Sequence, residues 1–202
     1  AIMSWLRAEG AHLAIHNSYN AHSDLALMSR ERRRLQRLTG DPIQGGRHHY
    51  WRMGTPFWDT LWAHGEVGSE FDMSVGFNEA PGYRLGIGLP FFPWHPVKGR
   101  PISVLQVPTL IMDGNLLYDE SSSVDDALLK VSELFDGLKE AEGTVSVDWH
   151  VRTAYPGSQK FTRWADVYRG LLEMVSNDPE LSFTTPAELL SERSLASPSA
   201  IT

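Results

Sequence analysis

Residues 11–22 read AHLAIHNSYNAH, and this stretch decides how the whole chain is interpreted. Its apolar start predicts a short buried strand from His12 to Ile15. The strand would place the polar residues His16, Ser18, Tyr19 and His22 on the loop that follows. Loops at the carboxyl ends of parallel strands carry the chemistry of many α/β proteins. The stretch therefore predicts a functional loop at the end of a strand.

Two other stretches have the same form, an apolar run that stops at a polar cluster. They are GGRHHYWR at residues 45–52 and TVSVDWH at residues 144–150. If the three strands lie side by side, histidines from all three strand ends can converge. The histidines concerned are His16, His22, His48, His49 and His150. Their convergence on one site is the central functional hypothesis from the sequence.

Helical and extended patterns alternate along the rest of the chain. Helices are predicted near residues 2–8, 24–39, 56–65, 123–142 and 163–175, with a short turn from Thr185. Further strands are predicted at 67–77, 103–112 and 145–150, and Pro and Gly make 78–101 a long irregular loop. This alternation predicts a parallel α/β sheet, either open or closed into a barrel.

Composition limits the class of protein and of partner. With 202 residues and 42% apolar content, the chain can form one domain, predicted at residues 1–190 and followed by a flexible tail at 191–202. A net charge of −7 argues against nucleic acid as a partner. The dense basic run at residues 30–37 fits a solvated helix face better than a binding patch.

The chain has no cysteine, no apolar run long enough for a membrane span and no visible signal peptide. These features favour a soluble protein, with a cytoplasmic location slightly preferred. The sequence begins at Ala1, already close to a helix, and the strand that would precede this helix is not in it. We therefore expect an upstream segment or a second chain to supply that strand.

Each polar cluster suggests a chemical role. His16 and His22 are candidate metal or catalytic residues on one loop. Strand alternation would send Arg47, His49 and Trp51 to one face, and His48, Tyr50 and Arg52 to the other, so only one set can face a pocket. A salt-bridged strand edge is the structural alternative for this cluster.

The later part of the chain contains a candidate general acid and a candidate anion-binding residue. Histidine is a common general acid, which makes His150 a candidate for that role, and Asp113, at the end of a predicted strand, is its natural carboxylate partner. Arg84, in the Gly-rich loop, could clamp an anionic group. Asp72 and Ser74 fall on one side of their strand. Histidines together with carboxylates suit a divalent metal, with zinc the first choice.

These motifs, in this order, resemble the polysaccharide deacetylase superfamily, the NodB-like carbohydrate esterases of family four, in a divergent bacterial branch. The resemblance is carried by AHLAIHNSYNAH, GGRHHYWRM, FDMSVGF with PGYRLG, VPTLIMD and VDWH. It implies a distorted (β/α) barrel that removes N-acetyl groups from an amino sugar or polysaccharide with a metal-activated water. The substrate would be a carbohydrate or a small N-acetylated compound.

The resemblance also assigns roles to residues. His16 matches the first metal-binding histidine; the second is expected at Asn20, so His22 or His49 would take its place. Arg47 matches the arginine that orients the base, His150 the histidine that protonates the leaving amine, and Asp113 its carboxylate partner. Candidate substrate-binding residues are Tyr19, Tyr50, Trp51, Arg84 and Trp149, with further flat surface at Phe91, Phe92 and Trp94.

One departure affects the expected activity. The family's first motif, a TFDDG-like run that supplies the catalytic base and the metal-binding aspartate, has no match in this sequence. The barrel would therefore lack its first strand in this chain. The alternatives are an inactive deacetylase-like domain that binds carbohydrate or acts as a scaffold, and an amidohydrolase for a small non-sugar amide.

Overall fold

A computed structural model describes residues 2–117, 122–155 and 159–195. The helices are α1 Ile2–Ala8, α2 Leu25–Thr39, α3 Phe57–Glu66, α4 Asp113–Leu116, α5 Val124–Glu140, α6 Val151–Ala154, α7 Thr162–Asn177 and α8 Pro186–Leu195. The strands are β1 Ile15–Asn17, β2 Gly45–His48, β3 Phe71–Asp72, β4 Trp94–His95, β5 Arg100–Pro101, β6 Leu105–Gln106, β7 Thr109–Met112 and β8 Ser146–Asp148. Short 3₁₀ turns occur at Ala21–Ser23, His49–Trp51 and Gln159–Phe161.

The chain divides into two compact units. The first contains Ala1–Ser74, Phe91–Gln106 and Thr184–Thr202, and the second contains Val75–Pro90 and Val107–Phe183. Within the described residues, no helix has both the length and the apolar character needed to cross a membrane.

The first unit is built on a parallel sheet of four strands in the order β1-β2-β3-β6. In its register Ile15 pairs with Gly46 and His16 pairs with Arg47. Glycine is needed at the first of these pairs, since a β-carbon on Gly46 would lie 1.8 Å from the carbonyl oxygen of Ile15. The close approach of β1 to β2 therefore depends on the missing side chain.

Helix α2 is defined at both ends by its caps. The Asp24 side chain accepts a hydrogen bond from the Leu27 amide, and Gly40 ends the helix with a left-handed φ of 76°. Arg32 on this helix donates to the carbonyl oxygens of Ile43, Val67 and Gly68 at 2.8–2.9 Å. Its guanidinium thus ties α2 to the start of β2 and to the end of α3.

The second unit pairs β7 with β8 in parallel and packs them with α5 and α7. Its core includes Leu110, Ile111, Val131, Phe135 and Val167, each of them buried. Helix α5 begins with a reciprocal capping box, in which Ser123 accepts from the Asp126 amide and the Asp126 carboxylate accepts from the Ser123 amide. The apolar positions of α5 and α7 follow helical spacing, as predicted.

The barrel prediction is only partly confirmed. The fold is mixed α/β with parallel strands, but the described strands form separate sheets and no closed sheet. The strand predicted at Ser103–Met112 is divided at Val107 and Pro108 into β6 and β7, because proline has no amide hydrogen to donate to a ladder.

Other boundaries also differ from the sequence prediction. A strand was predicted at 67–77, and β3 spans Phe71–Asp72. The first strand spans Ile15–Asn17 rather than His12 to Ile15, so His16 lies within it. The loop predicted over 78–101 contains the antiparallel hairpin β4-β5. The last helix continues past residue 190, where the flexible tail was expected to begin, as far as Leu195; residues 196–202 lie outside the described part.

Candidate functional site

Two exposed imidazoles face each other where β1 and β2 end. His16 lies on β1, in which Ile15 and Asn17 are buried and His16 is exposed. His49 directly follows β2. The His16 Nε2 and His49 Nδ1 atoms are 3.0 Å apart, with the rings edge to face at 85°. One nitrogen therefore carries the shared hydrogen and the other presents its lone pair.

A left-handed turn after β2 exposes one aromatic ring and buries the next. Tyr50 and Trp51 have φ values of 58° and 48°, a conformation that costs a non-glycine residue free energy. Tyr50 is 66% exposed, whereas Trp51 is 3% exposed. The alternation predicted for residues 47–52 therefore ends at His48, and Trp51 packs inside instead of sharing a surface with His49.

Tyr19 and Tyr50 surround His49 with exposed rings. Ring centroids are 4.5 Å apart for His49 and Tyr50, 6.1 Å for Tyr19 and Tyr50, and 6.5 Å for Tyr19 and His49. The Arg52 guanidinium lies 4.0 Å from the centroid of the Tyr19 ring. We name His16, His49, Tyr19, Tyr50 and Arg52 the histidine-tyrosine patch.

A buried polar network lies beneath the end of β2. The His48 and His64 Nε2 atoms are 2.7 Å apart, and His64 Nδ1 is 3.3 Å from Asp72 Oδ1, close but poorly aligned for a hydrogen bond. Ser74 donates to Asp72 Oδ1 at 2.6 Å and accepts from the His48 amide at 2.9 Å. The network fixes the strand end from which His49 projects.

Burial controls ionisation in this network. Burial, followed by the positive charge that His64 can carry, lowers the pKa of His48 to about 3, and burial lowers the pKa of His64 to about 4. Burial also raises the pKa of Asp72. Both imidazoles are therefore neutral at pH 7, and one hydrogen is shared between their Nε2 atoms. Within the described residues His48 Nδ1 has no hydrogen-bond partner.

Two other predicted residues lie close to the patch. His22 Nδ1 is 3.1 Å from the Tyr19 carbonyl oxygen, and because that oxygen can only accept, Nδ1 carries the hydrogen. Arg47 pairs with His16 across the β1-β2 ladder and places Nη2 3.8 Å from the Met73 sulfur. Arg47 thus adjoins His16 in the ladder, and its role in orienting a catalytic base stays a prediction.

In the second unit, His150 is held by Asp113. Its Nδ1 lies 2.8 Å from Asp113 Oδ1, and its amide is 3.3 Å from Oδ2. Asp113 is 2% exposed, while the His150 side chain is 36% exposed. Since a carboxylate accepts, Nδ1 carries the hydrogen and Nε2 is left as the proton-exchanging atom. The predicted pairing of these two residues is present.

Thr153 completes this arrangement and was not singled out from the sequence. Its hydroxyl contacts Asp113 Oδ2 and lies 2.7 Å from the His150 carbonyl oxygen. The Gly114 amide also donates to Asp113 Oδ1 at 2.7 Å. The buried carboxylate thus has several donors, which is what holding a charge inside a protein requires.

Two predicted substrate-binding residues, Arg84 and Trp149, belong to the second unit. Arg84 is exposed and places Nη1 3.5 Å from the Gly76 carbonyl oxygen. Trp149 packs at the edge of the core, stacked on Tyr168 with a centroid distance of 5.2 Å. Its geometry is that of a packing residue, and its role toward a substrate stays a prediction.

The spacing of the two imidazoles in the histidine-tyrosine patch bears on the predicted zinc site. Two nitrogens that each bind zinc at 2.0–2.1 Å in a tetrahedral site lie about 3.3 Å apart, close to the 3.0 Å between His16 and His49. The pair therefore fits two positions of such a site. Across the described ranges, no group of three or more His, Asp or Glu residues is arranged to hold a metal, so His22 does not complete one.

Fold and site together describe a mixed α/β protein with a parallel sheet and a histidine cluster at its strand ends. Comparison with solved structures supports a deacetylase-like fold. A crystal structure from Mycobacterium smegmatis, of a protein provisionally assigned as a polysaccharide deacetylase, superposes with a TM-score of 0.69 at 15% identity. The match covers 99% of this chain and 69% of the other. No family model and no curated protein matches the chain.

Sequence reasoning missed the buried network more than the exposed patch. The alternation of Asp72 and Ser74 was visible, but His64 was not singled out. Its position three residues after Leu61, on the apolar face of α3, is the signal that could have revealed a buried histidine.

Proposed function

We propose that this chain is a deacetylase-like hydrolase that cleaves the N-acyl amide of an amino sugar and holds a divalent metal, zinc first, with His16 and His49. The observation that carries the proposal is the 3.0 Å approach of their ring nitrogens at the ends of two parallel strands. Each imidazole would bind in its neutral form, so the ring that now carries the shared hydrogen would take the tautomer protonated on its other nitrogen. A cation bound there would activate water and polarise the acyl oxygen.

The residues around the pair supply binding and orientation. Tyr19 and Tyr50 present exposed rings beside His49, and pyranose faces stack on such surfaces. Arg47, on the strand beside His16, is proposed to orient the catalytic base that takes the proton of the attacking water. The resemblance assigns this base to an aspartate of the first motif, which would have to come from outside these 202 residues. The buried network below β2 keeps the end of the strand, and hence His49, in one position.

His150 is proposed to protonate the leaving amine. This role needs an imidazole with a fixed tautomer and an accessible second nitrogen. The bond to Asp113 provides the first, and the 36% exposure of the side chain provides the second. Thr153 would help by holding the carboxylate in place.

Acetate release tests the function directly. We expect purified protein supplied with zinc to release acetate from N-acetylated chitooligosaccharide, and His16→Ala and His150→Ala to reduce the rate at least 100-fold. His12→Ala, which removes an exposed imidazole outside the patch, is the matched control and should keep full activity. Release that is unchanged in His16→Ala, or absent in the folded wild type across sugar and small-amide substrates, would refute the proposal.

A second function is favoured by one observation. Because no three-residue metal group exists within the described residues, a carbohydrate-binding domain without turnover is the competing proposal. It predicts saturable binding of the oligosaccharide through Tyr19 and Tyr50, no effect of zinc on that binding, and no acetate. The deacetylase proposal predicts metal-dependent turnover instead.

A further inference from the structure

Arg52 occupies an unusual electrostatic position in the histidine-tyrosine patch. Its guanidinium lies 4.0 Å over the Tyr19 ring, and its Nη1 reaches only two neutral acceptors, the Tyr19 carbonyl at 3.4 Å and Asn20 Oδ1 at 3.5 Å. Both contacts are at the long limit of a hydrogen bond. Among the residues described, no carboxylate lies within ion-pair distance of Arg52, and Nε and Nη2 make no hydrogen bond.

Other arginines of the chain show how a structural guanidinium is used here. Arg32 donates from all three of its nitrogens to carbonyl oxygens at 2.8–2.9 Å. Arg7 contacts Asp41 at 2.6 Å, and Arg169 contacts Asp166 at 3.1 Å. Arg52 is half-buried and has no such partner in the described part of the chain, so its Nε and Nη2 atoms are available to a ligand.

The backbone holds this cation beside the exposed rings. The Arg52 amide donates to the His49 carbonyl at 3.2 Å, directly after the left-handed residues Tyr50 and Trp51. Stacking on Tyr19 fixes the plane of the guanidinium. The guanidinium covers one face of Tyr19, so a ligand packed against the neighbouring exposed ring of Tyr50 meets a pre-oriented fork of N–H donors at its edge.

We infer that Arg52 selects a ligand that carries a carboxylate, so that the patch accepts an acidic N-acylated sugar in preference to a neutral one. A planar fork of donors matches the two oxygens of a carboxylate, and a stacked guanidinium loses little side-chain entropy on binding. The acyl part of this inference depends on the proposed function. The carboxylate part depends only on Arg52 and its surroundings.

The test compares a charged probe with a neutral one, N-acetylmuramic acid and its methyl ester, which differ in the carboxylate charge and by one methyl group. Both are titrated by calorimetry into the whole chain. We expect the acid to bind at least tenfold more tightly than the ester, and to weaken with added salt while the ester does not. Arg52→Gln should lower the affinity for the acid at least tenfold more than the affinity for the ester, which abolishes the preference. Arg52→Lys should retain only part of it, because lysine keeps the charge but loses the fork.

Arg34→Gln is the matched control, since it removes one exposed arginine on α2 and changes the net charge equally. It should keep the full preference for the acid. Equal binding of the two probes by the wild type, no binding of the acid, or a preference that survives Arg52→Gln would overturn the inference. A preference lost only in Arg52→Gln, without acetate release from any sugar, would support it while refuting the hydrolase.

Discussion

At the scale of single residues, exposure and tautomer define the site. His16 is exposed because it alternates with buried Ile15 and Asn17, and His49 is exposed because β2 ends one residue earlier. His150 is oriented by a carboxylate, which leaves Nε2 as the exchanging atom. Histidine thus occurs in three environments: exposed at a strand end, paired with a carboxylate, and buried in a neutral network.

The buried network makes a prediction about acid stability. The folded pKa of His64, about 4, lies below the ordinary value of 6.5 in the unfolded chain, so protonation favours unfolding. The contribution of His64 to the free energy of unfolding should be constant above pH 6.5 and should fall as the pH drops toward 4. His64→Gln removes one such group and should make this fall shallower, by an amount on the order of 3 kcal/mol across the window.

Urea unfolding followed by tryptophan fluorescence between pH 4.5 and 7.5 measures this difference. His12→Ala, which removes an exposed imidazole, should reproduce the wild-type slope. The raised pKa of Asp72 acts in the opposite direction, lowering the stability as the pH rises through it, and Asp72 is present in all three proteins. Parallel curves for wild type and His64→Gln would contradict the assignment of His64 as a buried neutral group.

Part of the site was predictable at this scale and part was not. The pairing of His150 with Asp113 followed from two polar residues at the ends of predicted strands, and it is present. The meeting of His16 with His49 was one of two alternatives for the second imidazole. The left-handed turn at Tyr50 and Trp51 could not be predicted, since neither residue favours positive φ and surrounding contacts must impose it.

At the scale of elements, helices were predicted more accurately than strands. Helix α5 was recognisable from Ser123 at its N-terminus and from apolar residues at helical spacing, both of them local signals. The strands are only two to four residues long, and their ends depend on pairing with distant segments. Local pattern therefore located the strands without fixing their limits.

Alanine substitutions at two glycines, one in a strand and one in a helix, should have opposite effects on stability. Gly46→Ala should destabilise the protein by about 3 kcal/mol or more, because the added β-carbon would meet the Ile15 backbone at 1.8 Å and push β1 from β2. Gly137→Ala, in the exposed face of α5 with nothing within 4 Å, should stabilise it by about 0.5–1 kcal/mol.

Both variants can be measured by urea unfolding against the wild type. His16 lies on β1 and His49 directly follows β2, so separating the two strands should also disturb the site. Gly46→Ala should therefore lose zinc binding as well. Gly137→Ala should bind zinc normally. A Gly46→Ala protein as stable as the wild type would show that the register of β1 on β2 is wrong.

At the scale of the whole molecule, the mixed α/β class was predicted correctly, whereas the described strands do not form the closed barrel that was also predicted. The order of the motifs pointed to a deacetylase-like α/β fold, and the structural similarity at 15% identity agrees with that fold. The barrel was carried over from the resemblance. Closure depends on pairing between strands far apart in sequence, which no local pattern specifies, and the described strands do not form a closed sheet.

The central claim is that His16 and His49 together hold a metal ion. Zinc titration of the wild type, His16→Ala, His49→Ala and His22→Ala, with bound metal counted by elemental analysis, tests it most directly. We predict about one zinc per chain in the wild type and in His22→Ala, and a loss of at least tenfold in affinity for the other two variants. A folded wild type without zinc, or unchanged zinc binding in His16→Ala and His49→Ala, would contradict the claim.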